Sequence, residues 1–200
     1  MNPEALLKSF IYIISSALLY PVLAILSFLT LAVIVYAGAF CSEWMGRSRI
    51  RRKTVDDPAS AIARGDFSNF SPATREYIKE LHKILEKAPK EEEIEYILQE
   101  NQQKIMTSLD PVRILVRIGP SLGLLGTLIP MGTGLAALGQ GDMTQLSSHM
   151  VIAFTTTVVG LAQGTLAYVF FTVKSRWVEK DFRDMELATD LLAGGIGKQS

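Results

Sequence analysis

The stretch IGPSLGLLGTLIPMGTG occupies residues 118–134 and contains no charged side chain. Its small residues recur at intervals of three and four, so they share one side of a helix with one threonine. A side this small lets a neighbouring backbone come close, which is how helices associate in lipid. The stretch therefore predicts a membrane-spanning helix that packs tightly against another helix. The residues on this stripe are Gly119, Gly123, Gly126, Thr127, Pro130 and Gly134.

A second stretch, AFTTTVVGLAQGTLA at residues 153–167, repeats the pattern. Its small residues follow a four-three-four-three spacing, and Gly160 and Gly164 form a GxxxG pair. That pair is common when it occurs alone, but here it lies inside a longer stripe that is matched in the preceding apolar segment. The stretch predicts a second close-packing helix. Its stripe consists of Ala153, Thr157, Gly160, Gly164 and Ala167.

Three runs without Asp, Glu, Lys or Arg divide the chain. They lie between Lys8 and Glu43, between Arg117 and Asp142, and between Asp142 and Lys174. The hydrocarbon core of a bilayer needs roughly 20 apolar residues, so each run is long enough to cross it. Pro21 lies inside the first run, where either a kink or a helix start is expected. The sequence predicts an all-α integral membrane protein with three transmembrane helices.

The distribution of basic residues predicts the orientation of these spans in the membrane. Basic residues cluster at 47–53, 113–117 and 174–183, and none lies within 140–148. By the positive-inside rule, the N-terminus is extracytoplasmic and the C-terminus cytoplasmic. The predicted segments are an extracytoplasmic N-terminus at 1–9, a first transmembrane helix at 10–41, a cytoplasmic helical segment at 42–110, a second transmembrane helix at 111–139, an extracytoplasmic loop at 140–148, a third transmembrane helix at 149–173 and a cytoplasmic tail at 174–200.

The segment 42–110 combines a charged part with helical signals. The cluster at 47–53 is interpreted as a topology signal and lipid-headgroup anchor, and residues 47–70 are expected to be irregular and exposed. Ser71-Pro72 predicts a helix start. Glu91–Glu93 suit the first turn of the next helix, where the helix dipole favours acidic side chains. Asp110-Pro111 predicts the start of the helix that becomes the second span.

The hydroxyl groups are the candidate functional residues. Thr127 and Thr157 lie on the two small stripes, and Thr155 and Thr156 extend the polar surface to neighbouring faces. One interpretation is that each hydroxyl bonds back to the carbonyl four residues earlier and only packs. The other is that the hydroxyls line a wet crevice and bind a hydrated ion or a carboxylate of a partner.

Several kinds of chemistry are missing from the sequence. The 20 basic and 20 acidic residues balance, which argues against nucleic acid binding. The sequence contains no Cys/His cluster of the kind that binds a metal ion, and no nucleophile paired with a base. We therefore expect neither an enzyme nor a cofactor. No span holds an acidic or basic residue at its centre, and His149 lies near the start of the third. An ion pathway would therefore need a carboxylate from a second protein.

Two runs of this sequence resemble the motifs of a known family. The run GPSLGLLGT at 119–127 resembles the second-span motif of the MotA/TolQ/ExbB proton channel family. The run AFTTTVVGL at 153–161 resembles its third-span motif, in which a threonine precedes Gly-Leu by three residues. The three-span layout is similar to ExbB and TolQ more than to the four-span MotA. The resemblance is clear over residues 111–173 and architectural over 1–110.

The resemblance implies a homo-oligomeric ring, a pentamer in that family, in the cytoplasmic membrane. Its second and third spans would surround the helices of a dimeric single-span partner similar to ExbD, TolR or MotB, whose membrane aspartate carries the ion. Thr127 and Thr157 fall on positions that face this partner. The pattern departs at Ile152, where ExbB and TolQ have a glutamate, and at Leu166, near which a proline is common. These departures leave sodium as an alternative to protons, because hydroxyl oxygens suit a hard cation.

Two functions follow as hypotheses. The first is a stator subunit of an ion-driven motor, which couples ion flow to mechanical work through its partner. The alternative is a non-conducting membrane scaffold of a transport or envelope complex, in which the small stripes only hold the assembly together.

Overall fold

The computed structural model describes residues 3–53, 58–68, 70–87 and 89–194, and these residues form helices without any strand. Three segments are long and apolar enough to cross a membrane: Ser16–Ser48, Glu91–Gly139 and Met143–Ala193. The predicted all-helical class and the three membrane-spanning helices are confirmed. The helices are α1 Pro3–Lys53, α2 Pro58–Ala63, α3 Pro72–Leu85, α4 Glu91–Thr107, α5 Asp110–Gly139 and α6 Met143–Ala193.

The chain divides into two compact units. The first unit comprises Met1–Ala37 and Pro111–Phe171, and the second comprises Gly38–Asp110 and Thr172–Ser200. In the first unit, α1 buries Val22, Leu26 and Val33. These positions are four and seven residues apart, which places them on one helical face.

Pro21 lies inside α1, which begins at Pro3. The alternative of a helix start near Pro21 is therefore wrong. A proline removes one intrahelical hydrogen bond, and a membrane helix tolerates this where neighbouring groups satisfy the freed carbonyl. Pro120 and Pro130 likewise lie inside α5.

A tight turn joins α5 to α6. Only residues 140–142 are non-helical, so α6 begins at Met143, within the loop predicted for 140–148. Gly141 has a φ of 80°, and the amide of Asp142 donates to the carbonyl of Ala137 at 3.0 Å. The Asp142 carboxylate then accepts from the amide of Gln145 at 2.9 Å. This side-chain cap starts the next helix earlier than hydropathy alone indicates.

The second unit has a conventional side-chain core. Residues from α3 and the end of α6 are buried together with Ala61 and Ile62 of α2. The amide of Thr74 donates to Ser71 Oγ at 3.1 Å, which confirms the predicted helix start at Ser71-Pro72. The apolar face of α4 packs against this core with its side chains partly buried. The central members are Phe70, Tyr77, Ile78, Leu81, Met185 and Ala188.

The expectation that residues 47–70 are irregular and exposed is wrong for most of the described part. α1 continues to Lys53, α2 occupies 58–63, and Phe70 is buried. Charge density does not stop a helix when no proline or cap signal intervenes. The side chains of residues 49–53 lie outside the described residues, so the anchor interpretation stays a prediction for them.

Arg47 is half-buried and forms hydrogen bonds to other side chains. Its guanidinium donates two hydrogen bonds to the Asp181 carboxylate, at 2.9 and 3.1 Å, and a third to Glu43 at 3.1 Å. The Asp181 side chain is only 2% exposed. The guanidinium also lies 5.0 Å from the ring centroid of Trp177. This bidentate pair connects α1 to α6 within the second unit.

Candidate functional site

The glycines of α5 and α6 bring the two backbones into direct contact. A Cβ atom added at Gly160 would lie 2.6 Å from the Cα of Gly123 and 2.7 Å from the carbonyl oxygen of Gly119. A Cβ atom at Gly164 would lie 2.5 Å from the ring of Pro120. No side chain larger than hydrogen fits at either position without moving a helix.

The two small stripes face each other within one chain. Their contact extends from Gly119 near Gly164 to Gly134, where an added Cβ would lie 3.2 Å from the Cβ of His149. The stripes are thus occupied by contacts inside the chain, and an interface between subunits would need other surfaces. All nine positions predicted for helix packing are buried: Gly119, Gly123, Gly126, Pro130, Gly134, Ala153, Gly160, Gly164 and Ala167.

Thr127 and Thr157 meet at this contact. Their hydroxyls are hydrogen-bonded to each other, and both side chains are half-buried. Thr127 Oγ1 also lies 2.9 Å from the carbonyl oxygen of Gly123, and Thr157 Oγ1 lies 3.1 Å from that of Ala153. Because the two hydroxyls have two hydrogens for these three contacts, they cannot donate fully to all three acceptors at once. These contacts along each helix agree with the first interpretation. Binding of an ion or of a partner's carboxylate by the hydroxyls stays a prediction.

A proton count shows what this threonine pair can bind. Two hydroxyls have two hydrogens, and the carbonyls of Gly123 and Ala153 together with the neighbouring hydroxyl oxygen accept both. What remains is lone pairs on the hydroxyl oxygens. The threonine pair can accept a hydrogen bond from an incoming donor, or contribute oxygen ligands to a hard cation.

The other two threonines lie apart from this pair. Thr156 is 4% exposed and fills the space opposite Gly126, where an added Cβ would lie 2.7 Å from the Cβ of Thr156. Its hydroxyl donates to the carbonyls of Ile152 and Ala153 at 3.0 and 2.9 Å. The exposed Thr155 bonds the carbonyl of Val151 at 2.8 Å. Thr156 thus has a packing environment, and Thr155 faces away from the contact between the stripes.

His149 is half-buried beside this contact. Its Nδ1 lies 3.4 Å from Thr133 Oγ1, at the end of α6 that follows the turn. Within the described residues, no group of three or more His, Cys, Asp and Glu side chains could hold a metal ion.

Sequence reasoning missed Gln163. This amide is 5% exposed and donates from Nε2 to the carbonyl of Leu26 at 3.2 Å and to Thr30 Oγ1. Its Oε1 atom is buried without a hydrogen-bond partner among the described residues. The available signal was one amide inside a long apolar run. Gln163 connects α6 to α1 inside the first unit.

The comparison with known families covers most of this structure. Residues 68–187 match the MotA/TolQ/ExbB proton channel family, which is more than half of the 200-residue chain. The chain belongs to the MotA/TolQ/ExbB proton channel family. The match extends beyond the two membrane motifs to α3, α4 and α6 as far as Leu187. No curated protein and no solved structure gave a match.

Membership of the MotA/TolQ/ExbB family and the three apolar segments identify a multi-pass membrane protein of the proton-channel type. The threonine pair is a polar site inside the contact between its second and third membrane-spanning helices. It lies in the first unit, on two helices whose backbones are in direct contact at their glycines.

Proposed function

We propose that this chain is the ring subunit of an ion-driven membrane motor. It couples proton flow to mechanical work through a single-span dimeric partner that carries a membrane carboxylate, similar to ExbD, TolR or MotB. The observation that carries the proposal is the threonine pair in a proton-channel family member whose spans have no acidic or basic residue at their centres. The protein acts without catalysis and without a cofactor other than the transported ion.

The hydrogen bonding of the threonine pair supports a role in coupling. A protonated carboxyl group can donate a hydrogen bond to the lone pairs of Thr127 and Thr157, whereas a carboxylate cannot. The pair therefore favours one protonation state of the partner over the other. A difference in binding free energy between two states is what lets ion transfer drive a change in conformation.

The exposed faces of the spans support a homo-oligomer. Leu124, Leu128 and Leu135 on α5 are more than half exposed, as are Phe154 and Val158 on α6. The small stripes are already used inside the chain, so these large side chains are left for lipid and for neighbouring subunits. A pentameric ring in the cytoplasmic membrane, with the N-terminus outside and the C-terminus in the cytoplasm, is the assembly that the family resemblance favours.

Protons are the proposed coupling ion, and sodium is the alternative. The threonine pair and the carbonyl of Ala153, 3.5 Å from Thr127 Oγ1, are oxygen ligands of the kind that hard cations prefer. Ion flux measured in proteoliposomes with a sodium gradient and with a proton gradient distinguishes the two.

Isosteric removal of the hydroxyls tests the proposal. Thr127→Val and Thr157→Val keep the side-chain volume and delete the two oxygen atoms, and Thr155→Val is the matched control on the exposed face of α6. The protein is reconstituted with its partner, and ion flux and oligomeric state are both measured. We expect each variant to lose flux by about tenfold or more, as when one polar group is deleted from a functional site, while the oligomer still assembles.

Normal flux in both Thr127→Val and Thr157→Val contradicts the role of the hydroxyl pair. Absence of ion flux through the wild-type complex at any applied voltage contradicts the motor itself and favours the scaffold hypothesis. Thr155→Val is expected to behave as the wild type in both measurements.

A further inference from the structure

A titratable side chain, His149, lies at the contact between α5 and α6 and has no part in the threonine site. In the stretch 118–173 the titratable side chains are Asp142, His149 and Tyr168. Asp142 lies in the turn between the two helices, and Tyr168 is 59% exposed. His149 is half-buried, and a Cβ added at Gly134 would lie 3.2 Å from its Cβ. His149 therefore combines a titratable group with a place at this contact.

His149 lies between the turn and the threonine pair along α6. Gly134 faces His149 at one level of the contact, and the threonine pair follows further along both helices. The rise of an α-helix places His149 about 10 Å from Asp142 and about 12 Å from Thr157. A proton that starts in water at the turn therefore passes the depth of the imidazole before it reaches that of the threonine pair.

The hydrogen bonding of Thr133 assigns the tautomer of this imidazole. Thr133 Oγ1 lies 3.0 Å from the carbonyl oxygen of Pro130 and 3.4 Å from Nδ1 of His149. The hydroxyl has one hydrogen, and the closer carbonyl oxygen accepts it. Nδ1 then donates to the hydroxyl oxygen in the neutral imidazole, so Nε2 has the lone pair and is the atom that can take up a proton. Thr133 and Gly134, which meet His149 from α5, are both uncharged.

We propose that His149 is the group through which protons enter the ion pathway from the extracytoplasmic side. This inference rests on the proposed function, because it needs proton flow and the partner's membrane carboxylate. Nε2 takes a proton from water, and the imidazolium gives that proton to the carboxylate, directly or through a water molecule. The imidazole returns to its neutral form, and the new carboxyl group can donate to the threonine pair. Histidine suits this step because it gains and loses a proton near neutral pH.

The test compares His149→Gln and His149→Ala with His82→Gln. His82 is the other histidine of the chain and is exposed on α3, so it is the matched control. Each variant is reconstituted with the partner, and proton flux and oligomeric state are measured. We expect both His149 variants to lose proton flux by about a hundredfold, the lower end for a positioned proton-transfer group. The oligomer should stay intact, and His82→Gln should keep the flux of the wild type.

Chemical rescue separates proton transfer from packing. Imidazole added to vesicles with His149→Ala can replace the missing base, whereas pyrazole has the same ring size and is a much weaker base. Vesicles with Thr127→Val and the same imidazole give the background leak. We expect imidazole, and not pyrazole, to raise the flux of His149→Ala about tenfold above that background.

Three results overturn this inference and leave the proposed motor standing. They are wild-type flux in both His149 variants, a lost flux that imidazole does not restore, and sodium flux without proton flux in the wild type. Absence of any ion flux through the wild-type complex contradicts the proposed function itself, and the inference falls with it. If His149→Ala does not assemble, the flux of His149→Gln decides the question, because glutamine keeps a hydrogen-bonding group opposite Thr133 and cannot titrate.

Discussion

The helices within the first unit and those within the second unit are packed in different ways. In the first unit, α5 and α6 approach until the Cα of Gly123 and the position of a Cβ at Gly160 are 2.6 Å apart. In the second unit, large side chains such as Tyr77, Leu81 and Met185 fill the core, and Arg47 pairs with Asp181. The first arrangement excludes side chains from the contact, and the second depends on them.

The difference follows from the solvent of each unit. Lipid tails are as apolar as leucine, so burying a large side chain between membrane helices gains little, and close backbone packing dominates. In the charge-rich second unit, removing apolar side chains from water is the main stabilising contribution. The same kind of substitution should therefore have different consequences in the two units, and the following variants test that comparison.

The largest effect is expected from Arg47→Ala in the second unit. It leaves the Asp181 carboxylate, 2% exposed, without its cation. Breaking a buried ion pair from one side costs about 3–5 kcal/mol. Denaturant unfolding of the purified protein in micelles measures the loss.

The control for this ion pair is Glu43→Ala, which removes the more exposed partner of Arg47 and should cost less than about 1 kcal/mol. The double variant Arg47→Met/Asp181→Leu removes both charges and should regain most of the stability. If Arg47→Ala costs no more than Glu43→Ala, the pair does not hold the second unit together.

The next effect is expected from Gly160→Ala in the first unit. The new methyl group meets backbone atoms of Gly119 and Gly123, which cannot rotate away, so α5 and α6 must separate. Overpacking of this kind costs about 1–3 kcal/mol. Gly132→Ala on α5 is the matched control, because nothing lies within 4 Å of its added Cβ. Equal unfolding midpoints for the two variants would show that the glycine contact does not form.

Local rules explain which features were predictable from the sequence. The apolar runs indicate the three spans, and the Ser71-Pro72 signature indicates the start of α3, because each depends only on neighbouring residues. The small stripes were visible as well, since helical spacing places their members on one side. Charge density did not predict the backbone conformation. α1 continues through the charged residues beyond the predicted first span and ends at Lys53.

Contacts between distant residues were not predictable. Arg47 and Asp181 are 134 positions apart, and Gln163 and Leu26 are 137 apart. Nothing in either local sequence selects the partner, because the choice depends on how α1 and α6 lie side by side. The contact between the two small stripes within one chain likewise depends on how the helices lie side by side. Periodicity shows that a helix side is small, but it does not show which helix covers it.

A smaller effect is expected from Tyr77→Phe in the second unit. The phenol shares a hydrogen bond of 2.6 Å with Thr189, whose loss costs about 1 kcal/mol. Burial raises the pKa of the Tyr77 phenol above its ordinary value. The wild type should therefore keep this stability below about pH 10 and lose it as the pH rises further. Tyr77→Phe should lack that alkaline loss, and Tyr96→Phe, 67% exposed on α4, should retain it. Identical alkaline profiles for the wild type and Tyr77→Phe would contradict this account.

The smallest effect is expected at Gln163, the polar contact of the first unit. A double-mutant cycle of Gln163→Leu and Thr30→Val isolates their hydrogen bond, and membrane hydrogen bonds of this kind couple by about 0.6 kcal/mol. The unpartnered Oε1 atom is an unfavourable buried group that leucine removes, so Gln163→Leu alone should be nearly neutral. Pairing Gln163→Leu with Ser27→Ala, whose hydroxyl donates to the carbonyl of Leu23 on its own helix, should give no coupling. A coupling as large as the Arg47 loss would mean that the membrane unit depends on side-chain polarity as strongly as the second unit does.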